Sequence, residues 1–226
     1  MDSFIWKGQD SWLDYGIVVN ERPPFVKAEK QTEEIPVLGR DGSLTVDYES
    51  YKNINLPMKC TLLDNKNIDN VKAWLDGYGD LIFSWIPNKK YIGKMVQQID
   101  IEASLEKEGE FPLNWRCQPF LYLLDNSIIT LTQPSSIFNQ GTYTSQPIFT
   151  IYGQGNITLT VNSKSIYLTD VQDYIIVDGV SGDCKEVKLC NSKINGKPPA
   201  FMLGENIITW QGNVTKIDIQ PNWRCL

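Results

Sequence analysis

Residues 68–122 read IDNVKAWLDGYGDLIFSWIPNKKYIGKMVQQIDIEASLEKEGEFPLNWRCQPFLY. Ile68, Val71, Trp74 and Leu75 recur at the spacing of one helical face. Asn65 or Asn67 stands where a short polar side chain accepts from the free amides of a first turn. Gly77 follows where a left-handed residue ends a helix. From there the period changes to two. Residues 80–86 form a strand, Pro87-Asn88 a turn, and 91–105 a long alternating strand. Ile99, Ile101, Ala103 and Leu105 face one way and Asp100, Glu102 and Ser104 the other, the pattern of an antiparallel strand with one wet face. Glu108-Gly109-Glu110 turns the chain into the strand 111–122. One helix set among antiparallel strands makes the fold mainly β.

Working outward, residues 4–19 carry short strands around Gly8 and Gly16, and Pro23-Pro24 holds the backbone extended. Two β-prone runs, 35–38 and 43–46, flank Gly39-Arg40-Asp41-Gly42 and read as a hairpin. The preceding residues 27–34 are too charged to enter a core, so this hairpin projects from the body. Residues 56–63 form a strand with Pro57 near its start. Residues 125–146 are rich in Ser, Thr, Asn, Gln and Gly, which places a domain boundary near 132/133. Beyond it, short strands at 147–152, 157–161, 165–168, 174–178, 186–189, 207–210 and 214–219, with Gly212-Asn213 as a turn, suggest a second all-β sandwich. Asn114-Trp115-Arg116-Cys117 is echoed by Asn222-Trp223-Arg224-Cys225, as if each domain closed on a similar edge.

The chain of 226 residues has no histidine, which removes the commonest general base and metal ligand together. Five scattered cysteines without a CxxC read as free thiols of a reducing compartment. The N-terminus lacks the basic and apolar regions of a signal peptide, and no apolar run is long enough to span a bilayer, so a soluble, cytoplasmically made protein is expected. Residues 1–125 hold 14 Lys+Arg against 20 Asp+Glu and the remainder 7 against 7, which puts the net charge of -6 in the first half and argues against binding phosphates through a basic patch.

Each candidate for chemistry has a plainer explanation. Asp100 and Glu102 resemble an acid/base pair but fit a solvated strand face. Gly153-Gln154-Gly155 lacks the rest of a phosphate loop and reads as a β-turn. Asp170, Asp173, Asp178 and Asp183 lack calcium-loop spacing and read as turn residues. Cys184, Cys190 and Cys225 fall short of a closed zinc set. Trp115, Trp210 and Trp223 would stack on a sugar if exposed, and fill a core otherwise. Arg40 and Asp41 at the hairpin tip suit an inter-subunit ion pair.

Taken in order, the motifs resemble those of the distal tail proteins of long-tailed bacteriophages. The carrying residues are Asp14-Tyr15-Gly16-Ile17, Gly39-Arg40-Asp41-Gly42 followed by Tyr48 and Tyr51, the helix with Val71-Lys72-Ala73-Trp74-Leu75, Tyr91, and the strand with Cys117, Pro119 and Tyr122. The second half fits through Pro147-Ile148-Phe149, Ile175-Ile176-Val177-Asp178, Gly204-Glu205-Asn206, Trp210 and Pro221-Asn222-Trp223-Arg224. The resemblance implies an N-terminal β-sandwich with one α-helix and an extended hairpin (residues 1–132) and a C-terminal galectin-like β-sandwich (133–226). It implies a non-enzymatic structural protein of a phage or prophage virion, assembled in the host bacterial cytoplasm. Six copies would form a ring joining the tail tube protein to the tail-tip hub protein and anchoring receptor-binding or baseplate proteins, with DNA passing through unbound. No cofactor, metal or membrane enters this picture. Leu38, Gly39, Arg40, Asp41 and Gly42 of the hairpin, and Val71 and Trp74 of the helix, are the expected subunit-interface residues. The alternatives are a carbohydrate-binding module with an accessory β-domain and a carboxylate-dependent glycosidase. The first requires exposed Trp and the second a deep acidic cleft.

Overall fold

The computed structural model describes residues 1–63, 68–95, 110–186, 188 and 190–226. The expected caps Asn65 and Asn67, the alternating residues 99–105, the turn at 108–109 and part of the expected strand 186–189 lie outside them. The chain divides into two compact units, Met1–Leu121 with Leu226, and Tyr122–Cys225. That division falls ahead of the 132/133 boundary expected from composition.

In the first unit, β1 (Phe4–Trp6), β2 (Gln9–Asp10) and β3 (Ile17–Glu21) precede a hairpin of β4 (Lys30–Pro36) and β5 (Ser43–Tyr51). Then come β6 (Ile54–Leu62), α1 (Ile68–Leu75), β7 (Tyr78–Phe83), β8 (Lys89–Met95) and β9 (Phe111–Cys117). The sheet runs β2-β1-β7-β8-β9-β6-β3, and its described pairs are antiparallel. Strict alternation explains its two faces. Ile54, Leu56, Met58, Cys60 and Leu62 of β6 point inward beside Phe111, Leu113, Trp115 and Cys117 of β9. Their neighbours Asn55, Pro57, Lys59, Pro112 and Arg116 are exposed, as the two-residue period of a pleated strand requires.

Helix α1 closes this core with Ile68, Val71, Trp74 and Leu75. Trp6 Nε1 donates to the Trp74 carbonyl at 3.0 Å, and Trp74 Nε1 donates to the Trp6 carbonyl at 3.1 Å. Two indoles therefore satisfy their own donors while sealing helix to sheet, the condition under which Trp is buried without loss. Tyr15 and Phe4 stack on Trp74 at 4.1 and 5.6 Å.

At the division, β10 (Leu121–Leu123) pairs with β19 (Arg224–Cys225), and the second unit follows. The main sheet is built from β11 (Ile129–Leu131), β12 (Ser135–Asn139), β13 (Ile148–Val161), β14 (Lys164–Val171), β15 (Tyr174–Asp178), β16 (Cys184–Lys185), β17 (Ile194–Asn195) and β18 (Gly204–Gln220). Its order is β11-β18-β13-β14-β17, with β12 on β18, β15 on β13 and β16 on β15. Phe149, Ile151, Leu159, Ile166, Ile175, Ile208, Ile217 and Phe201 fill its core.

Three local expectations are corrected here. The runs 147–152 and 157–161 belong to one 14-residue strand, and 207–210 and 214–219 to one 17-residue strand. Gly153-Gln154-Gly155 and Gly212-Asn213 are not turns; the register between β13 and β18 shifts there instead. A Cβ on Gly153 would lie 2.2 Å from the Asn213 carbonyl oxygen, and one on Gly212, at φ +105°, 2.4 Å from that of Asn156. These glycines let two bulged strands cross closely, a use of glycine that the sequence cannot separate from a turn. Finally, Ser135–Asn139 in the expected linker is a strand, held to β18 by main-chain pairing rather than by composition.

Candidate functional site

The hairpin differs physically from everything around it. Among the described residues, β4 and β5 pair only with each other. Every residue of β4 is exposed, and most of β5. Directly opposed pairs share a face, so Glu33, Ile35, Leu44 and Val46 line one side, and Glu34, Pro36, Ser43 and Thr45 the other. Tyr48 joins the first side, its hydroxyl donating to Glu33. Ile35, Leu44 and Tyr48 are 39%, 49% and 54% exposed. The polar side is internally satisfied: Ser43 and Thr45 hydroxyls donate to Glu34, holding its carboxyl below the usual range. Lys30 pairs with Asp47 at 2.7 Å.

The tip, residues 37–42, turns through Gly39 and Gly42 at φ +78° and +81°, values that side chains rarely adopt. Leu38 stands fully in solvent at 104% exposure, and Arg40 and Asp41 are exposed beside it. The root is anchored. Ala28 is buried, Tyr51 meets Phe120 edge-on at 5.7 Å, and the Lys52 amide donates to the Glu29 carbonyl at 2.8 Å.

Beside that root lies a cavity of about 540 Å³ lined by Gln31, Lys52, Asn53, Asn55, Asn114 and Arg116. Asn114 Oδ1 is buried there without a hydrogen-bond partner. Lys52 is engaged by Glu29 at 2.8 Å, whereas Arg116 forms no ion pair among the described residues. A planar cation beside amides suits a carboxylate or a hydroxyl-bearing group. A second cavity, about 530 Å³, is lined by Gln9, Asp14, Tyr15, Asn70, Ala73 and Trp74. Among the described residues, neither lining places a nucleophile beside a base.

The structure separates the residues expected at the interface. Leu38, Gly39, Arg40, Asp41 and Gly42 sit together on the exposed tip. Val71 and Trp74, 0% and 6% exposed, are inside the first core, so α1 offers another chain only Asp69, Asn70, Lys72 and Ala73. Their spacing marked an apolar face but not whose core it enters. The hairpin 35–46 as a whole is the ring-forming element expected from sequence, but the grouping of Ile35, Leu44 and Tyr48 on one side becomes visible only once the register pairs the strands.

The remaining candidates resolve locally. Trp115 and Trp223 are buried in separate cores, so they do not form a sugar platform. Asp178 accepts from the Val180 and Ser181 amides, and Asp183 from Asn191, which holds turns. Among the described residues no group of three or more side chains could hold a metal ion, so Cys225 does not complete a set with Cys184 and Cys190. Asp100 and Glu102 lie outside the described residues. No helix among the described residues is long and apolar enough to cross a membrane.

No family model matches the chain, and no curated protein matches it by sequence. Among solved structures it is similar to the crystal structure of the Dit protein of phage SPP1, described as a paradigm of hub adsorption apparatus in Gram-positive infecting phages. The TM-score is 0.73 at 15% sequence identity, over 97% of this chain and 98% of that chain. The likeness is one of fold: a nearly all-β chain with one α-helix among the described residues.

Proposed function

We propose that this chain is a non-enzymatic building block of a bacteriophage tail tip that assembles through its hairpin. The observation carrying the proposal is a β-ribbon whose apolar side has no core beneath it among the described residues, on a chain that shares its fold with a phage hub protein over nearly its full length. A two-stranded hairpin is marginal in water by itself. Ile35, Leu44, Val46 and Tyr48 on one side and Leu38 at the tip supply what a neighbouring copy would cover. On this reading the contact is head-to-tail, and a head-to-tail contact that closes makes a ring. We take that ring to be a hexamer between the tail tube and the tail-tip hub, with the hairpin-bearing first unit as its ring-forming part and the second unit displayed to receptor-binding or baseplate proteins. DNA would pass through it unbound, because the negative charge sits in the first half.

The test is solution mass by size exclusion with light scattering at high protein concentration. A species near six times 25.8 kDa is expected. A deletion of residues 39–43 is expected to give a folded monomer. An unchanged assembly mass in that deletion would remove the hairpin from the interface.

A further inference from the structure

Two of the five cysteines meet. Cys184 lies in β16 and Cys190 immediately before a 3-10 turn at Asn191–Lys193, with their Sγ atoms 3.3 Å apart. The Cys190 amide donates to the Cys184 carbonyl at 2.8 Å. A direct main-chain hydrogen bond holds two backbones within the span of a disulfide, about 4.4–6.8 Å between Cα atoms. Asn191 fixes the arrangement from outside: its Oδ1 accepts from the Cys184 amide at 2.7 Å and its Nδ2 donates to Asp183 at 3.0 Å. Lys193 closes the same loop onto Glu186 at 2.8 Å. From this contact, an approach of about 1.3 Å would reach S–S bonding distance. Cys60 and Cys117, by contrast, sit at opposite ends of the β6–β9 pair.

We propose that Cys184 and Cys190 form an oxidative modification site that closes to a disulfide by exchange with a low-molecular-weight disulfide of the glutathione class. The two sulfurs differ in role. Cys190 is half-buried and reachable, whereas Cys184 is fully buried and its thiol is pushed up to about 12 by that burial. The Cys190 thiolate attacks one sulfur of the small disulfide, forming a mixed disulfide and releasing one small thiolate. That thiolate takes a proton. The Cys184 sulfur, surrendering its proton to solvent, then attacks the Cys190 sulfur and displaces the second small thiolate, which is protonated in turn. Two protein thiols are oxidised by two electrons, and one small disulfide is reduced to two thiols. Cys190 is thereby tied to β16, which pairs with β15 at the sheet edge, independently of any role in a tail.

The test uses the full-length protein, reduced, then exposed to oxidised glutathione and cleared of it. Two of the five thiols should disappear in denaturant, the intact mass should fall by about 2 Da, and a non-reducing peptide map should link Cys184 to Cys190. Cys184→Ser should stop at a glutathione adduct on Cys190. Five retained thiols, a lasting adduct on the wild type, or a link through Cys60, Cys117 or Cys225 would overturn the proposal. The wild-type measurement decides it even if a variant fails to fold.

Discussion

At the scale of single residues, the polar groups inside the second unit carry more structural information than its apolar ones. Asn206 is fully buried, and its amide accepts from the Met202 amide at 2.7 Å while donating to the Met202 and Gly204 carbonyls at 2.9 and 3.1 Å. Asn206→Leu keeps the branch at Cγ but is bulkier and strands these groups, and should lower the free energy of denaturant unfolding by at least about 1–3 kcal/mol. An unchanged midpoint would mean that water takes over the bonds. Asp218 is held below the ordinary aspartate range, first by the hydrogen bond from Lys216 at 2.7 Å and then by that from Thr130, also at 2.7 Å. A depressed folded value means that its stabilisation is present above about pH 4 and is lost as the pH falls through that value. Asp218→Asn should therefore lower the thermal midpoint at neutral pH, with the gap to wild type closing in acid. A gap that persists unchanged in acid would assign the effect to packing. Neither network was legible in the sequence, because a buried Asn and a turn Asn look alike until their partners are known. The strand at 56–63 and the helical face at Ile68, Val71, Trp74 and Leu75 were legible, since burial alone generates such apolar runs and periods.

At the scale of elements, the hairpin and the two long strands were read with different success for one reason. The tip Gly39-Arg40-Asp41-Gly42 needs left-handed glycines, and turn chemistry is local, so it shows in the sequence. The joins in β13 and β18 also use glycine, but for close approach between strands distant in sequence, so each long strand was divided in two. The hairpin's sidedness supports a direct comparison. Ile35→Asp or Leu44→Asp places a charge on the apolar side and should weaken self-association at least tenfold, the loss of about 1.4 kcal/mol at an interface. Thr45→Lys, on the polar side and opposite Glu34, should leave the mass distribution as it is. Equal effects from both sides, read by the same light-scattering measurement, would show that the ribbon is not docked through one face.

At the scale of the whole molecule, the sequence announced a mainly β chain through its single helix-like period and its many turn signals. The order of weak motifs, rather than any single one, carried the resemblance, and the likeness of fold stands at 15% sequence identity. Polar composition points to a boundary at 132/133, but composition does not show main-chain pairing, and Ile129–Leu131 and Ser135–Asn139 on either side of it both pair with β18. One feature of the first unit also bears on many copies together. A ribbon whose two edges are unpaired among the described residues is a natural seed for strand-on-strand fibre growth. Here the pairing shifts between Lys30 and Thr32, Glu33 and Glu34 put charge along β4, Pro36 withholds an amide, and Glu49 kinks β5 at φ +53°. Each makes the edge a poor template. The arm can thus offer its apolar side to one shaped partner while refusing the endless stacking that crowded, identical ribbons would otherwise invite.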